Sequence, residues 1–166
     1  MTTASSVFRE ILERDWQGEY PNPDDLYDAL WVAACGLKIP VPTDGQIDPV
    51  TVYFATNVLE LQVSNGGFAQ AAMNVPEWFE TAARSYELLD RPKLAAFVRE
   101  AAEVERLERK RIDAARAGGL EDAFAYFREE TFHTFDDRLE EVGWWENDEL
   151  RLAYVRTQLN NGSRQA

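Results

Sequence analysis

The stretch that decides the fold runs Glu60-Leu61-Gln62-Val63-Ser64-Asn65-Gly66-Gly67-Phe68-Ala69-Gln70-Ala71-Ala72-Met73-Asn74. An almost wholly apolar helical pattern, residues 50–63, enters it, and a short helical pattern leaves it. Between them stand Gly66 and Gly67, and glycine readily takes the positive φ values that end a helix and redirect the chain. We therefore predict a structural corner. The alternative, a phosphate-cradling glycine loop, lacks the preceding strand, the lysine and the further glycines that such loops need.

Side chains around the corner fit this interpretation. The amides of Asn65, Gln70 and Asn74 are suited to pairing with the backbone groups that helix ends leave unpaired. Phe68 and Met73 stand five residues apart, so both can pack back on the incoming helix. We expect an Asn-Gly-Gly corner held by amides and covered by apolar side chains.

Helix signals continue on both sides of the corner. Ser5 or Ser6 is predicted to cap a first helix that ends near Trp16, and two aspartates begin a second helix at residue 24. Asp48 followed by Pro49 reads as a cap and a first helical residue. The apolar face of the second helix includes Cys35, which we expect to be a buried thiol.

The second half of the chain also carries helix signals. Pro92 is predicted to open a long helix that Gly118 and Gly119 end, with Leu107 on its apolar stripe. Glu105 and Arg109 stand at helical spacing and are expected to pair on a solvated surface. A terminal helix should follow a cap at residue 147 and turn Leu150, Tyr154, Val155 and Leu159 inward.

No stretch has useful strand-like alternation, so the sequence predicts an all-α fold. We expect a single compact domain over residues 1–166, built around the central apolar helix at about residues 50–63 and the Asn-Gly-Gly corner. Residues 1–4 and 163–166 are expected to fray. No apolar run is long enough to span a membrane and the N-terminus lacks a signal-peptide pattern, so we expect a cytoplasmic protein.

The corner also resembles the signature of a bacterial all-helical family of unknown function, over roughly residues 20–160. The matching positions are Glu60, Val63, Asn65, Gly66, Gly67, Phe68, Gln70 and Asn74. That family includes an acidic DNA-mimic protein from Neisseria, a dimer that occupies the DNA-binding surface of a transcription factor. The resemblance implies an all-α fold, a possible homodimer, and a basic partner such as a DNA-binding transcription regulator.

Charge is the most unusual feature of the composition. Thirty acidic residues against 17 basic ones give a net charge of −13, so nucleic acids and anionic membranes should repel the protein. Residues 120–150 hold eleven of the acids and only Arg128 and Arg138, a net charge of −9. Any helical segment over residues 136–141 would set like charges four residues apart, which is unfavourable.

Catalytic chemistry has few candidates. His133 is the only histidine and Cys35 the only cysteine, and they stand on separate segments. Glu130 and His133 copy the spacing of bundle metal sites, but a second such motif needs a second histidine. The Asp136-Asp137 and Asp148-Glu149 pairs could contribute to a Mg²⁺ or Ca²⁺ site, although neither follows a calcium-loop pattern. We predict no enzyme activity, no metal and no cofactor.

The leading hypothesis is a non-catalytic acidic interaction protein, and its concrete form is a DNA mimic that occupies the nucleic-acid-binding surface of a basic regulator. Carboxylates three or four residues apart on a helix approximate a row of phosphates. The candidate binding residues are Glu129, Glu130, Asp136, Asp137, Glu140, Glu141, Glu146, Asp148 and Glu149. An acidic surface that serves only solubility remains the alternative.

Two further hypotheses stay open. The first is an immunity- or adaptor-type protein-binding module with an aromatic and acidic interface, because Trp144 and Trp145 stand beside the acidic cluster and tryptophans often anchor interfaces. The same two residues could instead belong to the core. The second is a carboxylate-metal hydrolase, which would require stabilisation by a divalent cation.

Overall fold

The computed structural model describes residues 3–43, 45–129, 131–145 and 147–162. These ranges hold helices and no strands, so the all-α prediction is confirmed. In chain order the helices are α1 (Ala4–Trp16), α2 (Pro23–Gly36), α3 (Pro49–Asn74), a short 3₁₀ helix (Pro76–Trp78), α4 (Phe79–Leu88), α5 (Pro92–Gly118), α6 (Leu120–Phe127), α7 (His133–Asp136) and α8 (Asp148–Gly162). Within the described ranges, no helix is long and apolar enough to cross a membrane.

Local signals set most of the helix ends. Asp48 caps α3, since its Oδ1 accepts the N–H groups of Val50 and Thr51 at 2.8 and 2.9 Å. The cap of α1 was predicted wrongly: Thr3, rather than Ser5 or Ser6, accepts the N–H of Ser6. Thr3 and Ala4 thus begin an ordered helix, whereas the other residues expected to fray, 1–2 and 163–166, lie outside the described ranges.

The chain divides into two compact units, residues 1–54 with 147–166 and residues 55–146. Unit 1 contains α1, α2, the start of α3 and α8, packed around Phe8, Leu30, Ala34, Val50 and Val155, each 0% exposed. The edge of the Phe8 ring packs on Tyr53, with centroids 5.5 Å apart. The expectation of a single domain over residues 1–166 stays a prediction.

Unit 2 contains the rest of α3 and the helices through α7, followed by turns over residues 137–145. Helix α5 packs against both α4 and α6. The prediction that residues 50–63 form an enclosed apolar helix is confirmed, because Val52, Ala55, Leu59 and Val63 are buried. The helix extends further than predicted, to Asn74, with its backbone broken at the two glycines.

Several predictions about single side chains are wrong. Cys35 is exposed rather than buried. Leu107 and Leu150 are 67% and 39% exposed, although both were predicted to face inward. Glu105 is only 5% exposed and forms its ion pair with Arg109 from a buried position instead of a solvated one. Each error has the same cause: helical periodicity defines a face, but it does not say how much of that face a neighbouring helix covers.

Candidate functional site

The glycine corner of unit 2 depends more on Gly67 than on Gly66. Gly67 has φ 72° and ψ −176°, a region that essentially only glycine adopts. Gly66 has φ −173°, which is ordinary extended backbone, so the expectation of two positive φ values is half correct. A Cβ added to Gly67 would lie 2.4 Å from Oδ2 of Asp136. The corner therefore requires glycine at residue 67 both for its backbone and for its neighbour.

Asp136 holds the backbone just after the corner. The N–H of Phe68 donates to Oδ1 of Asp136 at 2.9 Å. Partial burial raises the pKa of Asp136, while the hydrogen bond from Phe68 and the charge of His133 oppose the rise. This carboxylate is half-buried and already has a partner, so it serves the corner rather than an open surface.

The amides around the corner bond to another side chain. Oε1 of Gln62 accepts from Nε2 of Gln70 at 3.2 Å and from Nδ2 of Asn74 at 2.8 Å. The predicted pairing of Gln70 and Asn74 with helix-end backbone groups is therefore wrong. Glu60 accepts from the hydroxyl of Tyr86 at 2.6 Å, and Asn65 is exposed.

Phe68 lies at the centre of an aromatic cluster. Its ring centroid is 5.2 Å from Trp144, 5.5 Å from Phe97, 5.6 Å from Phe135 and 6.2 Å from Phe79. Phe68 itself is 0% exposed. Aromatic pairs at these separations add to the stabilisation from burial. The signature thus anchors the core of unit 2, and a binding surface has to be sought elsewhere.

The turns over residues 137–145, here called the acidic turn, present such a surface. The side chains of Asp137, Glu140 and Glu141 are exposed. Within the part of the chain that the structure describes, no ion pair or hydrogen bond engages these three carboxylates. Helix α7 ends at Asp136, so residues 136–141 do not form the helix on which like charges would stand four residues apart. The predicted like-charge pairs therefore do not lie at helical spacing.

The cation inside the acidic turn does not neutralise it. The guanidinium of Arg138 lies 4.9 Å from the centre of the Phe97 ring, and its Nη1 lies 3.1 Å from Oε2 of Glu100. Both partners belong to α5. Arg138 therefore ties the turn to α5, and the three exposed carboxylates keep their full charge.

A second arginine fixes the end of the acidic turn. Nη2 of Arg91 donates to the carbonyl oxygens of Gly143 at 2.6 Å and Val142 at 3.3 Å. The next residue, Trp144, is 0% exposed and packs on Phe68. The carboxylates thus project from a segment held at both ends, which reduces the ordering entropy that binding would cost.

Comparison with known proteins identifies the family. The model of the DMP19-like protein family matches residues 48–158, which is well over half of the chain. The chain belongs to the DMP19-like protein family. No curated protein and no solved structure matches it. The matched range includes the glycine corner and the acidic turn of this DMP19-like chain.

The other predicted binding residues belong to different units or lie outside the described ranges. Glu129 lies in unit 2 and pairs with Arg111, and Asp148 lies in unit 1 and pairs with Arg151. Glu149 is exposed in unit 1 and has no ion pair within the described ranges. Glu130 and Glu146 lie outside the described residues. Among the predicted residues that the structure describes, Asp137, Glu140 and Glu141 share the acidic turn of unit 2 and are exposed.

The two residues considered for nucleophilic catalysis belong to different units. His133 belongs to unit 2 and Cys35 to unit 1, and both are exposed. Partial desolvation of the exposed Cys35 side chain raises the pKa of its thiol, which disfavours the nucleophilic thiolate at neutral pH. Among the residues that the structure describes, no group of three or more His, Cys, Asp or Glu side chains could hold a metal ion.

Three features of the site escaped sequence reasoning. The adjacent tryptophans have opposite roles, since Trp144 is fully buried whereas Trp145, at the end of the acidic turn, is 53% exposed. The contacts of Arg138 with Phe97 and Glu100 of α5 and the role of Arg91 were also missed. No local sequence signal marks these contacts, because each arginine reaches a segment far away in the chain.

Proposed function

We propose that this DMP19-like protein is a non-catalytic interaction protein that binds a basic protein surface through its acidic turn. The observation that carries the proposal is the set of three exposed carboxylates, on Asp137, Glu140 and Glu141, that Arg138 leaves unneutralised. A fixed cluster of negative charge attracts partners rich in Lys and Arg and repels nucleic acid. The net charge of −13 adds a long-range attraction to the same partners.

DNA mimicry is the specific form that we propose for this binding. B-DNA carries one negative charge per about 1.7 Å of its axis, and basic proteins gain much of their affinity from neutralising those charges. Arg and Lys side chains form charge-assisted hydrogen bonds with carboxylates as they do with phosphates. The partner is then a DNA-binding regulator whose basic surface is blocked by competition, with no chemical step.

A second candidate function has one observation in its favour. Trp145, the last residue of the acidic turn, exposes 53% of its surface, and its ring centroid lies 6.5 Å from that of Trp144. Exposed tryptophans are enriched at the centres of protein interfaces. An immunity- or adaptor-type module would use Trp145 as an apolar anchor and the carboxylates as a rim.

The test is affinity capture from the native lysate with wild-type bait and with the variant Asp137→Asn/Glu140→Gln/Glu141→Gln, at about 50 mM and about 200 mM salt. We expect wild type to retain DNA-binding proteins at the lower salt concentration, to lose them at the higher one, and to release them when duplex DNA is added. The variant should not retain them. Equal capture by both baits would overturn the proposal.

A matched control removes the same charge elsewhere. Glu10, Glu13 and Asp113 are exposed carboxylates outside the acidic turn. The variant Glu10→Gln/Glu13→Gln/Asp113→Asn should capture the same proteins as wild type. Equal loss with both variants would mean that net charge alone attracts the partner. Capture that resists salt but is lost in Trp145→Ala would instead support the adaptor-type module.

A further inference from the structure

A cavity in unit 1 has a different chemistry from the acidic turn of unit 2. It has a volume of about 370 Å³, within the range of small-ligand pockets. Tyr20 and Tyr27 line it together with the buried side chains of Leu26 and Leu152. Such a surface receives an extended side chain that combines an apolar stem with a polar end.

The charges at this cavity determine whether it favours a cationic or an anionic ligand. Asp15, Glu149 and Arg156 line it, and Nη2 of Arg156 lies 2.5 Å from Oδ2 of Asp15. That ion pair cancels two of the three charges. The exposed carboxylate of Glu149 has no ion pair within the described ranges, so the cavity keeps a net negative charge.

Glu149 acts on the aromatic wall as well. Burial raises the pKa of the Tyr27 phenol, and the charges of Asp148 and Glu149 raise it further, against the opposing effect of Arg156 and Arg151. The negative charge of Glu149 therefore interacts electrostatically with the Tyr27 side chain. A carboxylate beside an aromatic face suits a cation that can bind both groups together.

We propose that this cavity binds an arginine side chain of the basic protein partner. The guanidinium lies against Tyr27 and donates to Glu149, while the methylene stem covers Leu26 and Leu152. Arginine fits better than lysine, because its planar and weakly hydrated guanidinium stacks on aromatic rings and pairs with carboxylates through two parallel hydrogen bonds. The inference rests on the proposed function only in taking the partner to be basic.

The larger cavity of unit 1 does not share this chemistry. It has a volume of about 740 Å³ and is lined mainly by apolar side chains, including Leu37, Ile39, Val41 and Ile47. Asp48 lines it too, but its carboxylate is already engaged in capping α3. The Tyr27 cavity is therefore the better site for a cation.

The test uses the full chain and short acetylated and amidated peptides. Gly-Arg-Gly is titrated against Gly-citrulline-Gly, its neutral isostere, and Gly-Lys-Gly, with NMR chemical shifts of the Tyr20 and Tyr27 rings as the readout. We expect saturable shifts with the arginine peptide, weaker binding of the lysine peptide, and none with the citrulline peptide. Equal binding of the citrulline or lysine peptide would overturn the assignment to a guanidinium.

Two variants locate the binding. Glu149→Gln should weaken binding of the arginine peptide by about threefold to fivefold, the range of a partly exposed ion pair. Asp25→Asn, which removes an exposed first-turn carboxylate outside the cavity, should leave it unchanged. Equal weakening by both variants would contradict the proposal, as would tighter binding of a proline-rich peptide without arginine.

The peptide titration needs no natural partner, so it can fail independently of the proposed function. If the arginine peptide does not bind at the cavity but the wild-type bait still captures its partners through the acidic turn, only this inference is overturned. If the arginine peptide binds at the cavity but the wild-type and acidic-turn-variant baits capture partners equally, the acidic turn is not the binding surface. The assignment of the cavity to an arginine side chain would still hold.

Discussion

The glycine corner and the acidic turn are both in unit 2, yet they use polar groups in opposite ways. At the corner, Asp136 accepts a backbone hydrogen bond and Gln62 accepts two amide hydrogen bonds. One residue after Asp136, the carboxylate of Asp137 is exposed and has no partner within the described ranges. Adjacent aspartates thus belong to regions with different physical roles.

This difference separates stability from binding. A polar group that already has a buried partner contributes to folding, and removing it leaves that partner unsatisfied. An exposed carboxylate among like charges contributes nothing comparable to folding, but its full charge remains available to a basic partner. Substitutions at the corner should therefore change the free energy of unfolding, and substitutions in the acidic turn should change binding.

The largest effect is expected at the centre of the aromatic cluster. Phe68→Ala removes a fully buried ring with four aromatic neighbours and should lower the free energy of unfolding by about 3–5 kcal/mol, measured by chemical denaturation. Phe124→Ala is the matched control, because Phe124 is 58% exposed. Its cost should stay below about 1 kcal/mol. Similar losses for the two variants would mean that the cluster is not the anchor of unit 2.

The two glycines sharpen the comparison within the corner itself. Gly67→Ala should cost about 2–4 kcal/mol, because its backbone region alone carries about 1–3 kcal/mol of strain and the new methyl group displaces Asp136 from Phe68. Thermal and chemical denaturation measure this loss. Gly66→Ala should cost less, because Gly66 has no positive φ and its closest new contacts, Oε1 and Cδ of Gln70, belong to the flexible end of that side chain, although Cβ of Gln70 also lies 3.2 Å away. A larger cost at Gly66 would contradict our account of the corner.

Local signals made much of the fold predictable. Pro92 and the glycines at 118 and 119 bound α5 as predicted, because proline and glycine act on the backbone where they stand. Asp48 capped α3 for the same reason. The exposure of Cys35 and the burial of Glu105 were missed, since both depend on how far a neighbouring element covers a helix face.

The candidate site was predictable only in its composition. The excess of acids in residues 120–150 is plain in the sequence, and it includes the three carboxylates of the acidic turn. The sequence could not reveal that Arg138 turns toward Glu100, 38 residues away, or that Arg91 holds a carbonyl 52 residues away. These long-range contacts decide which charges remain uncompensated.

Asp136 and Asp137 allow a direct test on neighbouring residues. Asp136→Ala leaves the buried N–H of Phe68 without an acceptor and should lower the free energy of unfolding by about 1–3 kcal/mol. Asp137→Ala removes the same functional group from an exposed position and should change it by less than about 0.5 kcal/mol. Urea denaturation of both variants measures the difference. Equal effects would show that the two aspartates do not differ as we describe.

A smaller effect is expected from pH. Because burial raises the pKa of Asp136, the folded protein binds this proton more readily than the unfolded chain, and the resulting stabilisation is lost as the pH rises through the raised pKa. The stability of wild type minus that of Asp136→Asn should therefore increase as the pH falls from neutral toward the ordinary aspartate pKa of about 3.9. Denaturation across that range measures the change. A decrease would mean that the hydrogen bond from Phe68 and the charge of His133 outweigh burial.

The smallest effect on stability is expected where the effect on binding is greatest. Asp137→Asn/Glu140→Gln/Glu141→Gln should stay within about 0.5 kcal/mol of wild type in free energy of unfolding, since the three carboxylates are exposed. Any change should be toward higher stability, because it removes like-charge repulsion, and salt should reduce it by screening. Denaturation at low and high salt measures both. A clear loss of stability would mean that these side chains hold the turn itself. The contrast with the corner would then fail, and lost binding could no longer be assigned to the charges alone.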